Sequence, residues 1–371
     1  MASSTEHLSS AQQLPTPAMV LDATVVRQNL QRMADYAAKV GLGIRPHTKT
    51  HKSRSVAEMQ LAAGAVGLTT AKVGEAEVIS HAGDDLLLAY PPVDAVRAQR
   101  LAVLARGRTV RAAIDSSAAL EAVAAAARRA DVAIGLLIDI DVGYGRTGVQ
   151  SPEDALTLAR AIDSTAGVRL DGIMCYPGHI WAPAERQAAA LQAVDAVLRE
   201  TIDRWAQDGL AAAIVSGGST PTAYQSHLAT RLTEIRPGTY VYNDMNTVHG
   251  GYCTLADCAA RLVCTVVSNA VPGQVVIDAG TKTLTSDLCF PAPDSGHGYV
   301  VEYPEAKITR LSEEHGQIDI TGCKNQPTIG ERVTVIPNHI CPCVNLQDTV
   351  WWLEPDRPPQ PLTIDARGKL T

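Results

Sequence analysis

From about Gly43 to Asn243, short β-rich apolar runs alternate with longer Ala- and Leu-rich segments whose apolar positions recur at helical spacing. The runs are Gly43 to Lys49, Ala65 to Thr70, Asp85 to Tyr90, Thr109 to Asp115, Ala133 to Asp141, Val168 to Tyr176, Ala211 to Gly217 and Thr233 to Tyr242. Eight βα units within roughly 200 residues predict a closed (β/α)8 barrel of the TIM type, an α/β fold, with an open doubly wound sheet as the alternative. After about Gly250 the pattern changes. Short strands with turn signals take over: Ala260 to Val267, Gln274 to Ile277, Tyr299 to Tyr303, Gln317 to Ile320, Arg332 to Pro337 and Thr349 to Leu353. They predict a separate C-terminal β domain. Thr16 to Asp22 reads as a strand ahead of a helix over Val25 to Ala38, free to pair with the distant β domain. The expected organisation is therefore an N-terminal segment over 1–22, a barrel over 23–250 and a β domain over 251–371.

A chain of 371 residues exceeds what a single hydrophobic core usually supports, which agrees with two domains. With 46% hydrophobic and 19% charged residues it is not a disordered sequence. A net charge of -7 excludes the basic footprint of a nucleic-acid partner. No apolar stretch is long enough to span a membrane, and Met1 to Ser10 lack the basic-then-apolar pattern of an export signal, so a cytoplasmic location is expected. Eight cysteines without an export signal argue against a disulfide framework and suit small buried hydrophobes. Cys341 and Cys343 stand apart because His339 precedes the first of them by two positions.

The chemistry is most visible in Arg45-Pro46-His47-Thr48-Lys49-Thr50-His51-Lys52, at the end of the first apolar run. In an extended segment His47, Lys49 and His51 would share a face. Crowding by cationic neighbours and partial desolvation push a lysine toward the neutral amine that attacks carbonyls, which is Schiff-base chemistry. Polar residues recur where the other runs end: Tyr90, Asp115, Arg146, Tyr176 with His179, Ser216 to Thr220, and Gly238 to Tyr240. A barrel brings all such ends to one mouth. Ser216-Gly217-Gly218-Ser219-Thr220 offers bare N-H groups, two hydroxyls and the start of a helix, and Arg236-Pro237-Gly238-Thr239-Tyr240 ends the last strand beside it. Phosphate sites in barrels commonly form from these two loops. A reactive lysine opposite a phosphate cradle points to pyridoxal 5'-phosphate.

The chain resembles the fold-type III pyridoxal phosphate enzymes related to alanine racemase, specifically the D-threonine aldolases and D-serine dehydratases. The resemblance is carried by Thr16-Pro17-Ala18-Met19-Val20-Leu21-Asp22, the RPHTKTHKS run, Asp141 to Gly148, Tyr176 to His179, SGGSTPT, RPGTY, Asp278-Ala279-Gly280, Glu313 to Gly316 and Pro337 to Cys341. It implies that Lys49 holds the cofactor, that Arg146 sits beside its phenolic oxygen, and that Ser219, Thr220, Gly238 and Thr239 lie near its phosphate. His47, Tyr176, Gly218 and Tyr240 complete the expected cofactor-binding set. A homodimer is implied as well.

By spacing alone, His339-x-Cys341 in a strand or strand-end would place an imidazole and a thiolate on one face, compatible with a zinc-type site but short of a structural one. The resemblance implies that the pair binds a divalent ion, zinc, manganese or magnesium, with open positions for a substrate hydroxyl. It further implies a lyase acting on small D-3-hydroxy amino acids. Retro-aldol cleavage, D-threonine to glycine and acetaldehyde, would use His179 as base for the hydroxyl; dehydration to a 2-oxo acid and ammonia would use Lys49 as base for the α-proton. Cys341 and the SGGSTPT cradle resemble the dehydratases, whereas Gly145 to Gly148, Pro342, Asn345 and Asp348 after the ligand pair, and Ala366 to Lys369 resemble the aldolases, and retro-aldol cleavage is the expected reaction. A racemase is a further alternative, and a cofactor carrier without catalysis a more distant one. His315 and Glu314 are candidates for contact with the ion or the substrate carboxylate.

Overall fold

The computed structural model describes residues Ala11 and 13–371. The segment Met1 to Ser10, which lacks an export-signal pattern, lies outside the described residues. Strand β1 (Ala18–Asp22) leads directly into helix α1 (Ala23–Val40), whose first turn is tied by the Asp22 carboxylate accepting the Thr24 and Val25 N-H groups at 2.9 and 3.1 Å. The chain then alternates β2 (Gly43–Ile44), α2 (Arg54–Ala62), β3 (Leu68–Thr70), α3 (Val73–Ile79), β4 (Asp85–Leu88), α4 (Ala95–Leu104), β5 (Thr109–Ile114), α5 (Ser117–Ala130), β6 (Ile134–Ile140), α6 (Pro152–Asp163), β7 (Val168–Cys175), α7 (Ala188–Gln207), β8 (Ile214–Gly217) and β9 (Glu234–Ile235). Between β8 and β9 there is a 3-10 turn, Ala223–Leu228, instead of a full α-helix.

Residues Arg32–Gly238 and Gly368–Thr371 form one compact unit. Its eight strands are all parallel, in the order β2-β9-β8-β7-β6-β5-β4-β3. The sheet closes on itself through Val66 N-H to Ile44 O at 2.8 Å, Thr48 N-H to Thr69 O at 2.8 Å and Thr69 N-H to Pro46 O at 2.9 Å. The expected barrel is thus the observed one, and the open sheet is excluded. Strands buried on both faces explain the near-continuous apolar runs that pattern reading detected.

Inside the barrel, side chains stack in layers. Leu87, Ala113, Leu137 and Met174 make an apolar middle layer. Two residues earlier on three of these strands lie Asp85, Arg111 and Gly135, which open a charged lower layer. Arg45 Nε bonds both Glu234 oxygens at 2.9 and 3.0 Å and its Nη1 pairs with Asp85. Arg111 continues the chain at 2.7 Å to Asp85 and 2.7 Å to Asp171. The absence of a side chain at Gly135 makes room, since a Cβ there would fall 2.2 Å from Asp171 Oδ2.

The described residues up to Gln31 together with Thr239–Arg367 form the second compact unit. It contains α8 (Met245–His249), β10 (Ala260–Ser268), β11 (Gln274–Ile277), α9 (Thr281–Leu284), β12 (Tyr299–Val300), β13 (Lys307–Leu311), β14 (Gly316–Asp319), β15 (Arg332–Ile336), α10 (Ile340–Asn345), β16 (Thr349–Leu353) and β17 (Gln360–Thr363). The expected partnership of the early strand is observed: β1 pairs antiparallel with β10 and parallel with β16. Strands β13 and β17 escaped pattern reading because they are mostly exposed and carry no apolar alternation. Among the described residues no helix is long and apolar enough to cross a membrane.

Candidate active site

In the barrel unit, β2 stops at Ile44, and His47 makes only an isolated bridge to Thr69. The chain then turns, with His51 and Lys52 N-H groups both returning to Thr48 O, at 3.2 and 2.8 Å. The expected extended segment with His47, Lys49 and His51 on one face is therefore not formed. A helical-type turn rotates alternate side chains apart. His51 is fully buried; its Nδ1 accepts from Ser53 N-H at 3.2 Å, which assigns the ring proton to Nε2 and makes it the donor to Gln60 Oε1 at 3.1 Å. Lys49 is left exposed at the apex, with no carboxylate in ion-pair distance of its amine among the described residues.

His47 is partly buried, and burial together with the charges of Lys49, Arg236, His51 and Lys52 pushes its imidazole well below the ordinary histidine range. It therefore stays neutral. Gly238 packs against this segment: a Cβ there would meet Thr50 Oγ1 at 2.9 Å and His47 O at 3.2 Å. Only glycine lets the two loops approach so closely. Gly238 N-H also donates to Thr220 Oγ1 at 3.3 Å, so the Lys49 turn, the Gly238 loop and the Thr220 loop meet.

The loop after β8 opens with Gly218 at φ +75, a left-handed conformation that glycine adopts without strain. Ser219 N-H donates to Thr222 Oγ1 at 3.1 Å, and the Ser219 and Thr222 hydroxyls lie 3.0 Å apart. The expected helix start is a 3-10 turn here, so the loop offers N-H and hydroxyl groups without a long helix dipole behind them. After β6, the Asp141 carboxylate gathers the N-H groups of Gly143, Tyr144 and Gly145 at 3.0, 2.9 and 3.1 Å. Burial raises this carboxyl's pKa, but the three donors outweigh it and hold the group below its ordinary value. The loop so fixed presents Arg146, whose guanidinium sits 4.8 Å from the Tyr176 ring centre and 5.1 Å from that of Tyr144, the two rings meeting edge to face at 5.2 Å. His179 is exposed and its ring lies 3.2 Å from where a Cβ on Gly143 would be. Arg146 has no carboxylate in ion-pair distance among the described residues.

The other unit holds the remaining candidates. His339 precedes α10 and Cys341 lies in its first turn, so the pair is held by a helix start and not on a strand face as expected. Their side chains are nonetheless in hydrogen-bond contact. Thr239 Oγ1 lies 3.7 Å from Cys341 Sγ, and Tyr240 is buried in the short turn that Thr239 begins. Asp287, which sequence reading passed over, sits 3.1 Å from His339 Nδ1. Asp244 was missed too: it caps α8 through Thr247 N-H at 3.0 Å and accepts Ile340 N-H at 3.0 Å, anchoring the segment between His339 and Cys341. Both lie far from the pair in sequence, and nothing local marks them. Burial depresses the His339 pKa, yet Cys341, Asp244 and Asp287 more than reverse this and bring it to about 9. Glu314 is spent on an exposed ion pair with Lys282 at 2.8 Å, and His315 is exposed in the β13–β14 turn, so no contact with the pair is seen for either.

These groups suit two ligands. An exposed amine and an exposed guanidinium without counter-ions, near a cradle of N-H and hydroxyl groups, fit an anionic aromatic aldehyde. An imidazole and a thiol in contact, with a carboxylate behind the ring nitrogen, fit a divalent ion with open positions. Among the described residues no group of three or more His, Cys, Asp and Glu side chains converges on one point.

The alanine racemase N-terminal domain model matches residues 21–246, and the "Putative serine dehydratase domain" model matches 259–353. The chain is 33% identical over 358 residues to D-threo-3-hydroxyaspartate dehydratase of Delftia sp. (strain HT23), covering 88% of this chain and 91% of that one. It is 30% identical over 347 residues to D-threonine aldolase of Arthrobacter sp, covering 90% and 87%. The crystal structure of D-threonine aldolase from Filomicrobium marinum superposes with a TM-score of 0.87 at 29% identity, over 97% of this chain and 98% of that one. A cysteine-to-alanine variant of D-threo-3-hydroxyaspartate dehydratase, solved in the metal-free form, gives a TM-score of 0.87 at 29% identity over 95% and 98%. With two domain models tiling it and relatives matched nearly end to end, this chain belongs to the alanine racemase-like enzymes, in the lyase branch of aldolases and dehydratases.

Proposed function

We propose that this chain is a pyridoxal phosphate- and divalent-metal-dependent lyase that cleaves D-3-hydroxy amino acids by retro-aldol reaction, D-threonine yielding glycine and acetaldehyde. The observation that carries the reading is Lys49: an exposed amine with no carboxylate partner, on a turn packed against Gly238 at the catalytic end of the barrel. When bound, pyridoxal phosphate supplies a conjugated ring that takes up the electron pair released as a bond to the substrate α-carbon breaks.

The chain's own residues do the rest. Lys49 would hold the cofactor's aldehyde carbon through its amine. Arg146, stiffened by stacking on Tyr176 and Tyr144, presents its guanidinium to the phenolic oxygen. Gly218, Ser219, Thr220 and Gly238 would provide N-H and hydroxyl donors for the phosphate, with Thr239 and Tyr240 next along the chain. His47, kept neutral, adds no charge to compete with the Lys49 amine. His339 and Cys341 would hold a divalent ion, which would supply a Lewis acid for the substrate hydroxyl. His179 would take the hydroxyl proton as the Cα-Cβ bond breaks and the aldehyde departs, and a proton returned to the α-carbon would complete glycine. The proposal extends to a homodimer, which the family resemblance implies, and to a cytoplasmic location.

Cys341 favours a second reading, dehydration. A cysteine variant of the similar dehydratase was solved in a metal-free form, and a His-x-Cys pair is what this chain presents. In that reaction Lys49 would remove the α-proton and hydroxide would leave as water; the released enamine, protonated at carbon, then takes up water to give a 2-oxo acid and ammonia. Incubating the protein with D-threonine and with D-3-hydroxyaspartate, before and after chelation, decides. Glycine with an aldehyde supports retro-aldol cleavage; 2-oxo acid with ammonia establishes the second reading; L-amino acid, or a rate indifferent to metal removal, overturns the proposal.

A further inference from the structure

Glu75, in the first turn of α3, is fully buried in the barrel unit and belongs to none of the groups assigned above. A buried carboxyl needs partners, and one of those found here, Thr48, belongs to the lysine-bearing turn. Glu75 Oε1 lies 2.6 Å from Thr48 Oγ1, one residue before Lys49, and Oε2 accepts Ala71 N-H at 3.0 Å. Thr48 O is in turn the acceptor that closes the turn through His51 and Lys52 N-H. Lys52 is buried and sits at φ +49, a left-handed conformation that a non-glycine residue adopts only when its surroundings hold it there. Its charge and that of Lys49 both act on Glu75.

We propose that Glu75 is a positioning residue for Lys49: its buried carboxyl holds the turn that presents the amine and supplies the negative charge that balances two lysines three residues apart. The inference rests on Lys49 being the reactive amine. Counting protons makes it specific. Thr48 Oγ1 is 2.6 Å from Glu75 and also 3.0 Å from Thr69 O, yet a hydroxyl has one hydrogen. With Glu75 ionised, Thr48 donates to it and Thr69 O keeps only the Thr48 N-H. With Glu75 neutral, Glu75 donates to Thr48, Thr48 donates to Thr69 O, and Ala71 N-H still reaches Oε2, so every group is satisfied. Burial favours the neutral pattern, whereas Lys52 and Lys49 favour the charged one. A glutamine reproduces the neutral pattern bond for bond, its NH2 donating to Thr48 and its oxygen accepting from Ala71, while removing the charge.

Glu75→Gln therefore separates charge from packing. In the unloaded full-length protein at pH 8, trinitrobenzenesulfonate should modify Lys49, read by peptide mass spectrometry, about three- to fivefold faster in Glu75→Gln than in the unaltered chain, because loss of a nearby carboxylate favours the free amine. The melting temperature should be unchanged. Thr48→Val keeps the charge and breaks the link to the turn; hydrogen exchange at the Lys52 amide should rise about tenfold with Lys49 reactivity near that of the unaltered protein. An unchanged Lys49 rate in folded Glu75→Gln overturns the charge role. Should Glu75→Gln fail to fold, unchanged exchange in Thr48→Val overturns the proposal. Neither readout needs cofactor or turnover, so failure here is distinct from failure of the lyase reading.

Discussion

Asp287 Oδ2 lies 3.1 Å from His339 Nδ1, which commits one ring nitrogen to a carboxylate and turns the other away from it. Carboxylate support of this kind fixes the orientation of a metal-binding histidine and raises its basicity. Asp287→Asn is expected to weaken binding of a divalent ion about 10- to 100-fold, measured by calorimetric titration of the chelated protein. Equal affinity in the variant would show that Asp287 does not serve a metal ligand.

The buried pair of Arg45 and Glu234 is held by two bonds at 2.9 and 3.0 Å, and Glu234 also accepts from Ser216 Oγ at 2.6 Å. Arg45→Met leaves the carboxylate without its guanidinium inside the barrel. A loss of about 3–5 kcal/mol in unfolding free energy is expected, because removing one partner strands a buried charge. Denaturant unfolding of Arg45→Met and of the double variant Arg45→Met/Glu234→Leu checks it: the double variant should recover part of the loss, and a single variant as stable as the parent would refute the buried-pair account.

The depressed His47 pKa has a definite sign in the pH dependence of stability. The folded protein holds this imidazole neutral, whereas the unfolded chain protonates it near pH 6.5. The unfolded state therefore binds more protons in acid, and the contribution present above about pH 6.5 is lost as pH falls toward the folded-state value. Between pH 7.5 and 5.5 the melting temperature of the unloaded protein should drop less in His47→Gln than in the parent. Identical drops would place the acid sensitivity elsewhere.

Much of the fold was legible because barrel strands are buried on both faces and helices on one, which writes two different periods into the chain. The early strand Ala18–Asp22 was readable as a partner of the β domain, and it pairs with β10 and β16. What stayed hidden depends on tertiary proximity. Nothing near Asp287, Asp244 or Glu75 in the sequence signals that folding carries them to His339, to α10 and to Thr48. The turn at Thr48 to His51 was hidden for a different reason: a β-rich run predicts that extension continues, while the two hydrogen bonds to Thr48 O that end it carry no composition signal.

The lyase reading stands on the Lys49 amine as covalent anchor of the cofactor. Loading the protein with pyridoxal phosphate, reducing it with borohydride and mapping the peptides by mass spectrometry tests this directly. The account predicts a phosphopyridoxyl group on Lys49 and none in Lys49→Ala; a label on another lysine, or no label on the parent, would contradict it.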